Sequence, residues 1–161
     1  MTASAPTQPA LASRFDPPDP EFAARVRASF GRQKAMALIG ATLSAVAPGR
    51  CEIELPFRDE LTQQKGYVHG GIIGMIADSA CGYAAYTLMP ADASLVTVEY
   101  KINILAPGLG RLVARGEVIR PGRTLSITRG EVYAESAGRS ILCAAMQQTL
   151  MMLPDTPDTP E

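Results

Sequence analysis

Between Gly70 and Met89 the only formally charged side chain is Asp78, and Ile72, Ile73, Met75, Ile76, Cys81, Tyr83 and Leu88 fall on every side of a helical wheel. A helix that is apolar all round is enclosed either by protein or by lipid. At about 20 residues the run could span a bilayer. It has an ionisable group near its middle, four glycines and no basic flank, and amphipathic strands surround it, so the centre of a folded core is expected. The rest of the chain then has to wrap it.

The flanking sequence supplies a sheet for that purpose. Residues 37–47 read as a strand and Pro48-Gly49 as its turn, with Cys51, Ile53 and Leu55 alternating with Glu52 and Glu54 beyond it. After Pro90, Val96, Val98, Tyr100, Ile102 and Ile104 alternate with Thr97, Glu99, Lys101 and Asn103, and the period of two places the first set on one face. Three further extended runs, 111–119, 124–134 and 139–152, are separated by Arg120-Pro121-Gly122-Arg123 and Ser136-Ala137-Gly138, which suit tight turns and an antiparallel meander. Between the hairpin and the apolar run, the polar segment Phe57 to Val68 reads as a loop.

Phe22, Val26 and Phe30 recur every four residues between Glu21 and about Met36, which predicts an amphipathic N-terminal helix lying outside the sheet. Residues 1–20 and 154–161 are rich in proline and are expected to be disordered tails around one domain, 21–153. The class is therefore α+β: a single antiparallel sheet curled around one long apolar helix. An open sheet edge must be hidden or paired, so a homodimer is expected on fold grounds alone.

Fifteen basic and 16 acidic side chains give a net charge of -1, so neither a nucleic acid nor a membrane surface is expected as a partner. Cys51, Cys81 and Cys143 form no Cys-x-x-Cys pair and read as small buried hydrophobes in a reducing compartment. With His69 the single histidine, no metal site is expected, and no apolar run marks a secretory leader, which makes the cytoplasm the expected location.

Two features can carry chemistry. Gly70 and Gly71 open the apolar helix, where first-turn N–H groups lack intrahelical partners and carry the positive end of the dipole, suiting a carbonyl oxygen or a phosphate. The competing reading is that His69-Gly70-Gly71 merely turns the loop into the helix. Asp78 follows eight residues after Gly70 on the same face, and Gly70, Gly74, Asp78 and Gly82 form a stripe of small residues broken by one carboxylate. Burial there would disfavour the charged form unless donors compensate, and nearby helix positions offer mainly Ser79. No Gly-x-Ser-x-Gly elbow, phosphate-binding loop or dinucleotide fingerprint occurs.

Gly66-Tyr67-Val68-His69-Gly70-Gly71, the step from His69 to Asp78, the strand from Val96 to Ile104 and the turn Gly122-Arg123-Thr124 together resemble the phenylacetate-pathway (PaaI-like) thioesterases of the hotdog-fold superfamily, over roughly residues 35–152. The resemblance implies hydrolysis of an acyl-coenzyme A thioester without metal or cofactor, in active sites shared across a homodimer that pairs into a dimer of dimers. It implies that the Gly70 amide holds the thioester oxygen. Asp78 of the opposite subunit then activates water or attacks the carbonyl, Gln63 contacts the thioester, and Thr97 helps hold the water. By the same resemblance His69 and Gly71 fix the start of the helix against the substrate. Arg123 grips a coenzyme A phosphate, and the acyl group runs along the glycine stripe beside Met75 and Tyr83. A hydratase of the same fold, which would want a paired histidine and aspartate, and a non-catalytic acyl-CoA binder are the competing readings.

Overall fold

The computed structural model describes residues 14–156 together with Asp158 and Thr159. Its helices are α1 (Phe22–Arg32), α2 (Lys34–Ile39) and α3 (Gly70–Tyr86), and its strands β1 (Thr42–Ala47), β2 (Arg50–Leu55), β3 (Ser94–Ile104), β4 (Arg111–Arg120), β5 (Leu125–Ser136) and β6 (Arg139–Leu153). The six strands form one antiparallel sheet in the order β1-β2-β4-β5-β6-β3, so β3 lies at an edge. This is the α+β hotdog arrangement that the sequence led us to expect.

The sheet closes on α3 at backbone distance. A Cβ on Gly116 of β4 would lie 2.2 Å from the Ala80 carbonyl oxygen, and one on Gly130 of β5 would lie 2.8 Å from Cys81 Sγ. Only glycine lets strand and helix approach so closely. Inward residues Cys51, Ile53, Leu55, Leu112, Ala114, Val118, Val132 and Leu150 complete the core around Ile73, Ile76, Ala80 and Ala84 of the helix. On the outer face, Glu117 bridges Arg50 and Arg129, and Arg111 bridges Glu54 and Glu135, in a ladder of opposite charges across β2, β4 and β5. Among the described residues no helix is long and apolar enough to cross a membrane.

The N-terminal region differs from expectation. The helix expected over 21–36 breaks at Gln33, whose ψ of 95° is extended, and restarts as α2. α2 takes residues 34–39 from the expected helix and first strand and ends at Gly40, a left-handed cap with φ of 77°. Val26 packs inward as the periodicity predicts.

Residues 14–20, placed by composition in a tail, are held on the body. Arg14 Nη2 donates to the Val118 and Ile119 carbonyls at 2.7 and 3.1 Å, and the Phe15 ring lies against Gly49. Asp19 pairs with Arg25 at 2.9 Å. Arg25 in turn donates to the Tyr86, Met89 and Pro90 carbonyls, clasping the C-terminal end of α3, where a cation is favoured. Near the other end, Asp158 pairs with Arg32 at 2.8 Å. The remainder of the expected tails, residues 1–13, 157, 160 and 161, lies outside the described residues.

Cys51, Cys81 and Cys143 are buried and free. Burial pushes Cys143 to about 11 and Cys81 to about 12, and raises Cys51 further. Unfolded thiols ionise near 9.0, so this contribution to stability is full below pH 9 and is lost as pH rises through the folded values. We expect a colorimetric thiol reagent at pH 8 to find essentially no reactive thiol in the folded protein and all 3 per chain in denaturant. Rapid labelling of the native chain would contradict the buried assignment.

Candidate active site

The loop before α3 is shaped by backbone pairing. Gln63 N–H donates to the Tyr67 carbonyl at 2.8 Å, and Val68 N–H to that of Gly108 at 3.0 Å. His69 then caps the helix with an extended backbone (φ -60°, ψ 138°), and its Nδ1 accepts from Gly71 N–H at 2.9 Å. The His69 carbonyl accepts from Ile72 and Ile73 N–H at 2.9 and 3.2 Å. Three of the four first-turn donors are thereby used by one residue. Gly70 N–H has no partner among the described residues, and Gly70 is exposed.

Beside Gly70 lies an open hollow of about 320 Å3, lined by Gln63, Tyr67, Ile73, Ile104 and Pro107 among others. Gln63 Oε1 accepts from Lys65 N–H at 2.5 Å, which fixes the side-chain amide and leaves Nε2 to donate. Gln63 and Gly70 therefore border one and the same opening.

Asp78 lies on the flank of α3 that faces β3. It is half-buried, and its Oδ1 accepts from Thr97 Oγ1 at 2.8 Å and from Gln148 Nε2 at 2.5 Å. Thr97 is thus joined to Asp78. Ser79 instead donates to Gln33 Oε1 at 3.4 Å. A cavity of about 130 Å3 opens here, lined by Asp78 and Thr97 with Ser29, Gln33, Tyr83 and Leu95 among others. The Tyr83 hydroxyl is 3.1 Å from Ser29 Oγ, its ring stands edge-on to Phe30 and Tyr86, and burial pushes it up to about 12.

Three expectations are corrected. The strict alternation of β3 fails, because its pairing with β6 shifts between Thr97 and Glu99. Thr97 opposite Leu150 and Tyr100 opposite Gln148 both face α3, whereas Val96, opposite Met151, faces outward. The glycine stripe is lined by the chain's own β3 rather than left open for an acyl group: added Cβ atoms at Gly70, Gly74 and Gly82 would meet Ile104, Tyr100 and Leu95 at 3.9, 3.7 and 3.9 Å. Met75 packs against the core instead of lining either opening. Arg123 sits exposed in the β4–β5 turn with no ion pair among the described residues, at the sheet end where β3 begins.

Gln148 is the residue that sequence reasoning missed. Its signal was available: along Met146, Gln148 and Leu150 the inward phase of β6 is interrupted by one amide.

Residues 65–141 match the family model of the thioesterase superfamily. A solved thioesterase family protein from Silicibacter pomeroyi is 45% identical, with a TM-score of 0.81 over 83% of this chain and 98% of that one. A putative esterase of Saccharolobus solfataricus is 31% identical over 119 residues, 73% of this chain and 77% of the relative. The human acyl-coenzyme A thioesterase 13 is 28% identical over 62% of this chain and 72% of that protein. The match covers 64% and 59% of the lengths of two other curated putative esterases, from Halobacterium salinarum and S. solfataricus.

The capping geometry carries its own expectation. His69→Ala removes the acceptor of Gly71 N–H, so urea denaturation should show a loss of about 1 kcal/mol, typical of a helix cap. Amide exchange at Gly71 should quicken with it. Unchanged exchange there would contradict the cap.

Proposed function

The chain belongs to the thioesterase superfamily, and from that premise we propose that it hydrolyses an acyl-coenzyme A thioester to a carboxylic acid and free coenzyme A. The observation that carries the reading is Gly70 N–H, which has no partner among the described residues at the positive end of α3, while His69 uses its three neighbours. A thioester oxygen seated on that amide and on Gln63 Nε2 would meet two donors where negative charge develops. His69 and Gly71 act by holding the helix start in place.

Asp78 is the proposed general base or nucleophile, with Thr97 beside it. The helix separates Asp78 from Gly70 by eight residues, about 12 Å at 1.5 Å per residue, too far for both to reach one carbonyl through a single water. We therefore assign the reaction to a homodimer in which Gly70 and Gln63 of one protomer face Asp78 of its partner. The β3 edge supports that assembly: Val98, Tyr100 and Ile104 are 54%, 46% and 49% exposed along a strand that is paired with β6 on one side only. Dimers of dimers are the proposed higher state.

The acyl group is placed at the Asp78 cavity beside Tyr83, and Arg123 reaches a phosphate of coenzyme A. Buried free thiols fit a cytoplasmic setting. The single histidine has Nδ1 committed to Gly71 N–H, which favours hydrolysis over a hydratase needing a histidine free to pair with the acid.

A panel of hexanoyl-, palmitoyl- and benzoyl-coenzyme A, read by thiol release, tests the activity. Asp78→Asn should retain assembly and acyl-CoA binding while slowing thiol release at least about a hundredfold. Near-native turnover in that variant would refute the assignment. Gly70→Pro deletes the N–H without breaking the helix, because proline is tolerated at the first helical position and His69 is already extended. It should lower kcat by about 100- to 1000-fold with the fold intact by circular dichroism; an active proline variant would remove Gly70 from the mechanism.

A further inference from the structure

The two donors on Asp78 differ in one respect: nothing in the packing calls for the second. Gln148 is 1% exposed on the inner face of β6, between Met146 and Leu150, and its Oε1 has no hydrogen-bond partner among the described residues. Methionine would fill the same space without stranding a carbonyl, and a buried unpaired acceptor is destabilising. The amide is retained at a cost to the fold.

Its Nε2 explains why. It lies 2.5 Å from Asp78 Oδ1 and 2.9 Å from Thr97 Oγ1, while Thr97 Oγ1 lies 2.8 Å from the same carboxylate oxygen. An amide nitrogen can only donate. Thr97 must accept from Gln148, so its single proton goes to Asp78. Both donors converge on Oδ1, and Oδ2 has no protein donor among the described residues.

Among the described residues no cation pairs with Asp78. The cavity lining adds Asp158, whose partner is Arg32, together with the tyrosines Tyr83 and Tyr86. Buried Cys81 on α3 is neutral, and Glu99 and Lys101 of β3 turn to the outer face. The hydrogen bonds that Asp78 accepts come from Thr97 and Gln148.

We propose that Gln148 is a positioning residue that pins Oδ1 of Asp78 and turns the Thr97 hydroxyl towards it, leaving Oδ2 open for reaction. Its kinetic consequence rests on the thioesterase reading; its effect on the carboxyl does not. In full-length Gln148→Met, thiol release from the best substrate of the panel should show kcat lowered about tenfold or more and KM within about threefold. The melting temperature should be held or raised, because the unpaired buried acceptor is removed.

The Asp78 carboxyl resonance of carbon-13-labelled protein, recorded without substrate, should be displaced in Gln148→Met by loss of the Gln148 donor. If the native chain releases no thiol from any acyl-CoA, the functional reading falls while this resonance still decides the role of Gln148. A carboxyl resonance that is the same in the native protein and in Gln148→Met, with kcat unchanged, overturns the proposal. Should the methionine variant fail to fold, Gln148→Glu decides instead, since its carboxyl donates only when protonated. Turnover should recover on acidification, opposite to the native trend, and a profile parallel to native overturns the role.

Discussion

A 17-residue helix with almost no polar face has to be sealed, and the rest of the structure follows from that demand. β2, β4 and β5 seal most of α3, and they do so at a distance set by Gly116 and Gly130, where any side chain would strike the helix. The remaining flank is covered by β3, an edge strand whose apolar side chains stay half-exposed. Asp78 is on this flank. The one charged group of the helix thus sits where cover is thinnest, and it is satisfied by hydroxyl and amide donors rather than by a cation.

The same helix acts as a ruler. Gly70 and Asp78 project from one face of a rigid rod, so their separation is fixed whatever the loops do. Two rods related by a two-fold axis and running in opposite directions would bring the start of each to the middle of the other. On our reading that apposition makes the site, and the exposed edge of β3 is the surface that allows it. The long-range clasp of Arg25 on the Tyr86, Met89 and Pro90 carbonyls lies at the opposite end of α3 from Gly70, whose N–H has no partner among the described residues.

Much of this was legible in the sequence because it depends on local pattern. The apolar run, the alternation in β2, the turns at Pro121-Gly122 and Gly138 and the Gly70-to-Asp78 offset each express a period or a turn preference. What escaped depends on contacts distant in sequence. The break at Gln33 follows from docking, since Ser29 and Phe30 on one side meet Tyr83 and Met36 on the other enters the core. Residues 14–20 are ordered by Gly49 and the carbonyls of β4, which composition cannot reveal. Gln148 is one polar residue in an extended run, and its partners lie far away in sequence, on α3 and β3.

The bulge at Val98 joins the packing demand to the chemistry. In an unbroken strand with Thr97 turned towards α3, Glu99 and Lys101 would share its face and bring charges against an apolar helix. Had Tyr100, Ile102 and Ile104 kept that face alone, Thr97 would point outward and Asp78 would lose a donor. One extra residue between Thr97 and Glu99 resets the phase, so Leu95 and Thr97 face inward before it and Tyr100, Ile102 and Ile104 after it, while Glu99 pairs with Thr149 outside. Bulges re-aim side chains in this manner beside active sites. A strand that had only to cover α3 would have no use for the extra residue; it is the hydroxyl on Asp78 that requires it.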